Sequence, residues 1–93
     1  MEPVAKWDQL HSFRERAEEL SGIEVWLFGS ALASAKPTDL DVLVIYTDRR
    51  SLEVLRAADY WAHYDPPIDL IAMTPAEERF YRFKVVTRAV RLV

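Results

Sequence analysis

The stretch from Trp26 to Tyr46, WLFGSALASAKPTDLDVLVIY, constrains the fold more than any other part of the chain. A run of apolar residues ending at Phe28 stops at Gly29-Ser30, and a loop of small residues leads to Asp39-Leu40-Asp41 at the mouth of a second run, Val42 to Tyr46. Val42, Leu43, Val44 and Ile45 are continuous and mostly β-branched, the pattern of a central strand buried on both faces. Side chains two apart on a strand share a face, so Asp39 and Asp41 are expected to converge while Leu40 turns away.

Converging carboxylates suit a hard cation such as Mg²⁺, which takes oxygen ligands and shares them between one or two carboxylates and a substrate's phosphates. Gly29 allows a backbone to approach a phosphate closely, and Ser30 can donate a hydrogen bond to it. Further along, Ile68 to Met73 reads as a third strand with Asp69 as its one charged residue. An unpaired carboxylate in an apolar strand costs several kcal/mol, so Asp69 calls for a partner, and a metal shared with Asp41 on a neighbouring strand is the natural one.

Gly29-Ser30, then Asp39-Leu40-Asp41, then Asp69 within IDLIAM resembles the minimal nucleotidyltransferases of the DNA polymerase β superfamily, over Ile23 to Met73. The resemblance implies that Asp39, Asp41 and Asp69 ligate two Mg²⁺ or Mn²⁺ ions and that Gly29 and Ser30 hold the triphosphate of a substrate nucleotide, ATP first among them. It also implies that Asp69 helps activate an acceptor hydroxyl. Similar proteins are often the antitoxin of a pair whose toxin is an all-helical HEPN ribonuclease, and some modify that toxin with nucleotides. The loop between Ser30 and Asp39, ALASAKPT, is shorter than in many members, which carry a glycine and an arginine there; Lys36 is its only cation and is the remaining nucleotide-binding candidate.

The 93 residues suffice for one domain, residues 1–93, with a single core. Half the chain is apolar and 29% is charged, a globular composition. The net charge of −3 argues against a polynucleotide as main ligand, since neutralising many phosphates needs a basic surface. There is no cysteine, hence no disulfide or thiolate metal site. No apolar run approaches the roughly 18 residues of a membrane span, and the expected location is the cytoplasm. His11 and His63 fall in different helices without a third ligand and are assigned no role.

The elements follow in the order α-β-β-α-β-α, an α/β (α+β) chain with a small mixed sheet of three strands and helices on one face. Trp7, Leu10, Phe13, Ala17 and Leu20 recur at helical spacing and predict a helix over 8–20, stopped by Ser21-Gly22. A second helix over 52–64 has Ser51 as cap and Leu52, Leu55, Ala58 and Ala62 as inward stripe, with Arg49 and Arg50 in the polar turn before it. Thr74-Pro75-Ala76-Glu77 matches the start of a third helix carrying Phe80 and Phe83. The tail KVVTRAVRLV reads either as more helix or as a short strand.

Most of Trp7, Trp26, Trp61, Tyr60, Phe80 and Tyr81 should be core. Leu43, Ile45, Ile71 and Met73 share strand parity with the aspartates, which predicts an apolar face too large for so small a domain to cover, open to a helical protein partner or to a second copy. Three functions fit: a metal-dependent nucleotidyltransferase that passes a nucleoside monophosphate to an acceptor hydroxyl; a non-catalytic partner-binding antitoxin; or a degenerate module that binds nucleotide or metal without turnover.

Overall fold

In a computed structural model, residues 7–57 and 63–93 are described. Helix α1 (Asp8–Glu18) turns Leu10, Phe13 and Ala17 inward, all fully buried. It ends two residues short of the expected Leu20, and Gly22, at φ +69°, reverses the chain into strand β1 (Ile23–Phe28). A single 3-10 turn, Gly29–Leu32, and a loop carry the chain to strand β2 (Leu40–Tyr46). Helix α2 (Arg49–Ala57) follows at once. Its cap is Asp48, whose carboxylate accepts the Arg50 amide at 2.9 Å; Ser51, the expected cap, is buried inside the first turn. Ala58 and Ala62 of the expected stripe, like Tyr60 and Trp61, lie outside the described residues.

Strand β3 (Ile68–Met73) runs parallel to β2, and β1 runs antiparallel to it. Thr74 then caps helix α3 (Pro75–Tyr81) in the expected manner: its hydroxyl accepts the Glu77 amide at 3.2 Å, and Glu77 Oε1 accepts the Thr74 amide at 2.9 Å. The ambiguous tail divides. Helix α4 (Phe83–Thr87) is one short piece, and strand β4 (Val90–Arg91) pairs antiparallel with β1 beyond it. The sheet is therefore four-stranded, in the order β3-β2-β1-β4, where three strands were expected.

Helices lie on both faces of this sheet, contrary to the one-faced packing expected. The main core lies between one face and helices α1 and α2, where Leu10, Phe13, Leu52 and Leu55 meet Val25, Leu27, Val42 and Val44. The other face carries Trp26 and Phe28 of β1, Asp41, Leu43 and Ile45 of β2, and Asp69 and Ile71 of β3. Helix α3 packs on β2 and β3 there, and Phe83 at the start of α4 meets Phe28 edge-to-face, ring centroids 4.8 Å apart.

A polar cluster fixes α4 against the sheet. Trp26 Nε1–H donates to Glu24 Oε1 at 2.6 Å, and the Lys84 ammonium lies 3.7 Å from Glu24, 3.8 Å from Glu78 and 4.8 Å above the Trp26 ring. The buried Glu78 carboxylate also accepts the Lys84 amide at 3.0 Å. These contacts outweigh the extended preference of Val85 and Val86.

The face expected to lie open is thus largely closed by the chain itself: Leu43 is 0% and Ile45 6% exposed, while Ile71 remains 38% exposed. The apolar surface lies one layer further out, on α3 and α4, where Phe80 and Tyr81 project into solvent in place of joining the core.

Candidate metal centre

The three aspartates meet because two strands pair in parallel. Asp41 and Asp69 are direct Cα partners across β2 and β3, and a hydrogen bond from the Leu40 amide to the Pro67 carbonyl, 2.8 Å, holds the two strand starts together. Asp39 immediately precedes β2, two residues before Asp41 and on the same side. One carboxylate oxygen from each of the three lies within 4.8 Å of the others. Asp39 and Asp41 are half-buried and Asp69 is exposed. Strand β2 begins at Leu40, so Asp41 belongs to the ladder itself and not to its mouth.

A backbone surface closes one side of this cluster. Phe28 is the Cα partner of Asp41 across the antiparallel pair, and the chain turns at Gly29 with φ +82°. A Cβ added at Gly29 would collide with Asp41 Oδ2. Glycine here meets two demands, the left-handed backbone and the close approach to a carboxylate.

Three carboxylates in one place repel. Burial first, and then the Asp39 and Asp69 carboxylates, push the Asp41 carboxyl up from its ordinary 3.8. Such a set is poised to gain from a cation. Ligands on one Mg²⁺ at about 2.0–2.1 Å lie at most about 4.2 Å apart, so oxygens spread over 4.8 Å would draw together slightly around one such ion. The donor set is all oxygen and fits Mg²⁺ or Mn²⁺, with Asp39, Asp41 and Asp69 as the residues that would hold it.

The remaining candidates are placed less tightly. Ser30 is exposed in the 3-10 turn, where its carbonyl accepts the Ala33 and Ser34 amides at 3.1 and 2.8 Å. That turn is four residues long, shorter than a regular helix start would be. Lys36 is exposed in the loop beyond, its amide donating to Ser34 Oγ at 3.1 Å. The structure therefore brings Gly29 against the aspartates and leaves Ser30 and Lys36 on the open rim. His11 pairs with Glu15 along α1 at 2.7 Å and belongs to no metal cluster among the described residues.

Phe28 and Phe83 were not among the sequence candidates. The antiparallel register of β1 and β2 places Phe28 beside Asp41; the contact from Phe83 depends on where α4 packs. No family model matches the chain, and no curated protein sequence does. Among the described residues no helix is long and apolar enough to cross a membrane.

Proposed function

We propose that the chain is a divalent-metal-dependent nucleotidyltransferase that moves a nucleoside monophosphate from a nucleoside triphosphate, ATP in the first instance, to an acceptor hydroxyl with release of pyrophosphate. The observation that carries this reading is the convergence of Asp39, Asp41 and Asp69 beside the Gly29 backbone. Divalent ions held by these carboxylates would supply electrostatic stabilisation to the oxygens of an in-line displacement. Asp39, Asp41 and Asp69 would hold the ions, and Asp69, the most exposed of the three, also orients the acceptor hydroxyl and accepts its proton. Gly29 lets the backbone lie close against Asp41, and Ser30 faces the phosphates from the exposed turn. The resemblance of the chain's motifs favours an acceptor on a partner protein and an antitoxin role toward a HEPN-type toxin.

The test is incubation with Mg²⁺, α-labelled ATP and candidate acceptor proteins. Label should appear on an acceptor and be abolished by Asp39→Ala and by Asp41→Ala, whereas Ser30→Ala lowers the rate only in part because backbone amides at the turn remain. Label that persists in the aspartate variants overturns the reading.

One observation favours a second reading, binding without turnover: between Ser30 and Asp39 the only cation is Lys36, and it lies exposed. In that case Mn²⁺ or ATP raises the melting temperature but no acceptor is ever labelled.

A further inference from the structure

The surface that most calls for a partner is the outer side of the α3–α4 corner. Phe80 is 80% exposed, Tyr81 59%, Val85 68% and Val86 75%, four large apolar side chains within seven residues. Phe80 and Tyr81 meet edge-to-face with ring centroids 5.0 Å apart, so they form one aromatic knob. Side chains this apolar are seldom left together in water unless something covers them.

The charge along the segment that follows Glu77 and Glu78 is one-sided. Residues 79–93 contain Arg79, Arg82, Lys84, Arg88 and Arg91 and no acidic residue. All fifteen acidic residues lie in residues 1–78 against seven cations, a net of −8 there. Lys84 is engaged with Glu24 and Glu78, and Arg91 lies over Trp26 with its guanidinium 5.8 Å from the ring centroid. Arg79 and Arg82 flank the knob in sequence, Arg88 ends α4, and all three are exposed. Aromatic side chains with arginine at the rim are the composition of a protein–protein interface.

We propose that this corner is the docking surface for another protein whose contact face is acidic and carries an apolar ridge, such as an amphipathic helix with glutamate or aspartate flanking leucine-like positions. A second copy of this chain fits poorly. A symmetric contact brings Arg79, Arg82 and Arg88 against themselves. An anionic membrane would attract the corner but repel the −8 remainder. The proposal concerns a surface separate from the aspartates and stands or falls independently of the nucleotidyltransferase reading.

The test uses a fluorescein-labelled synthetic helical peptide with leucine at i, i+3, i+4 and i+7 and glutamate elsewhere, against a counterpart with lysine in place of glutamate. The glutamate peptide should bind at least about tenfold more tightly and weaken as salt is raised. The double variant Phe80→Ser/Val86→Ser, and separately Arg79→Gln/Arg82→Gln/Arg88→Gln, should each weaken it by about tenfold or more. Both variants should keep the wild-type melting temperature and its response to Mn²⁺, which separates loss of docking from loss of fold or of the metal centre. The assignment is overturned if neither peptide binds, if the lysine peptide binds equally well, or if the variants bind as wild type. It is equally overturned if sedimentation equilibrium shows a dimer that the Phe80→Ser/Val86→Ser variant abolishes. Co-sedimentation with vesicles of phosphatidylcholine and phosphatidylserine in preference to peptide binding also overturns it.

Discussion

Replacing Gly29 by alanine should damage the chain in two separable ways. Gly29 sits at φ +82°, where a side chain adds roughly 1–2 kcal/mol of strain. For a domain of this size each kcal/mol lowers the melting temperature by about 4–8 °C, so a fall of roughly 4–16 °C is expected. In addition the new Cβ meets Asp41 Oδ2 and forces that carboxylate away from its partners. The stabilisation expected of Mn²⁺ on the wild type, about 2.7 kcal/mol at a hundredfold excess over Kd, should therefore vanish although no ligand has been removed. Gly22→Ala is the control: Gly22 has a similar φ of +69° and its Cβ would meet Thr47 Oγ1 at 2.5 Å, at the far end of β2 from the aspartates. It should lose a comparable amount of stability and keep the full response to Mn²⁺. Thermal denaturation of both variants with and without the ion decides. A Gly29→Ala protein that still responds to Mn²⁺ as wild type does would refute the idea that this backbone positions Asp41.

Asp41→Asn should stabilise the metal-free protein at neutral pH. The folded-state pKa of Asp41 is raised above the ordinary 3.8, so the folded chain holds that proton more tightly than the unfolded one. Wild-type stability then falls as pH rises from 3.8 through the raised value, and the full penalty persists above it; urea titrations across that window should show a smaller fall for the variant. Thr74→Ala removes the cap of α3 and should cost about 1 kcal/mol, read from the urea midpoint. Phe13→Ala empties a fully buried site between α1 and the sheet and should cost about 3–5 kcal/mol, enough to leave a substantial unfolded fraction by circular dichroism at 37 °C.

The parts of the fold that were legible in the sequence are those written locally. Gly22 as a stop, Thr74 with Pro75 and Glu77 as a start, and IDLIAM as a strand each rest on a few adjacent residues whose chemistry admits one backbone. The aspartate cluster was legible in part: parity puts Asp39 and Asp41 on one side, whereas Asp69 joins them through its pairing with Asp41 across β2 and β3 and, being exposed, carries none of the burial cost that its apolar strand suggested. The tail was not legible. Its break falls at Arg82 and Arg88, both left-handed at φ 54° and 55°, where no glycine marks the turn. What holds α4 there is the contact of Phe83 with Phe28 and of Lys84 with Glu24 and Glu78, all made with residues distant in sequence or in another element. The covering of Leu43 and Ile45 depends on the same packing, which is why that face was expected to lie open.

The pairing of Asp41 with Asp69 across β2 and β3 has a use beyond chemistry. A slip of one residue between two strands sends every side chain of one of them to the opposite face, so a chain collapsed with β3 misaligned would bury Asp69 among apolar residues and leave Asp39 and Asp41 without it. Divalent-ion titration of a refolded sample would then act as a count of correctly threaded molecules, and the fraction of protein that fails to take up Mn²⁺ would measure how often the parallel pair zips one place out of line.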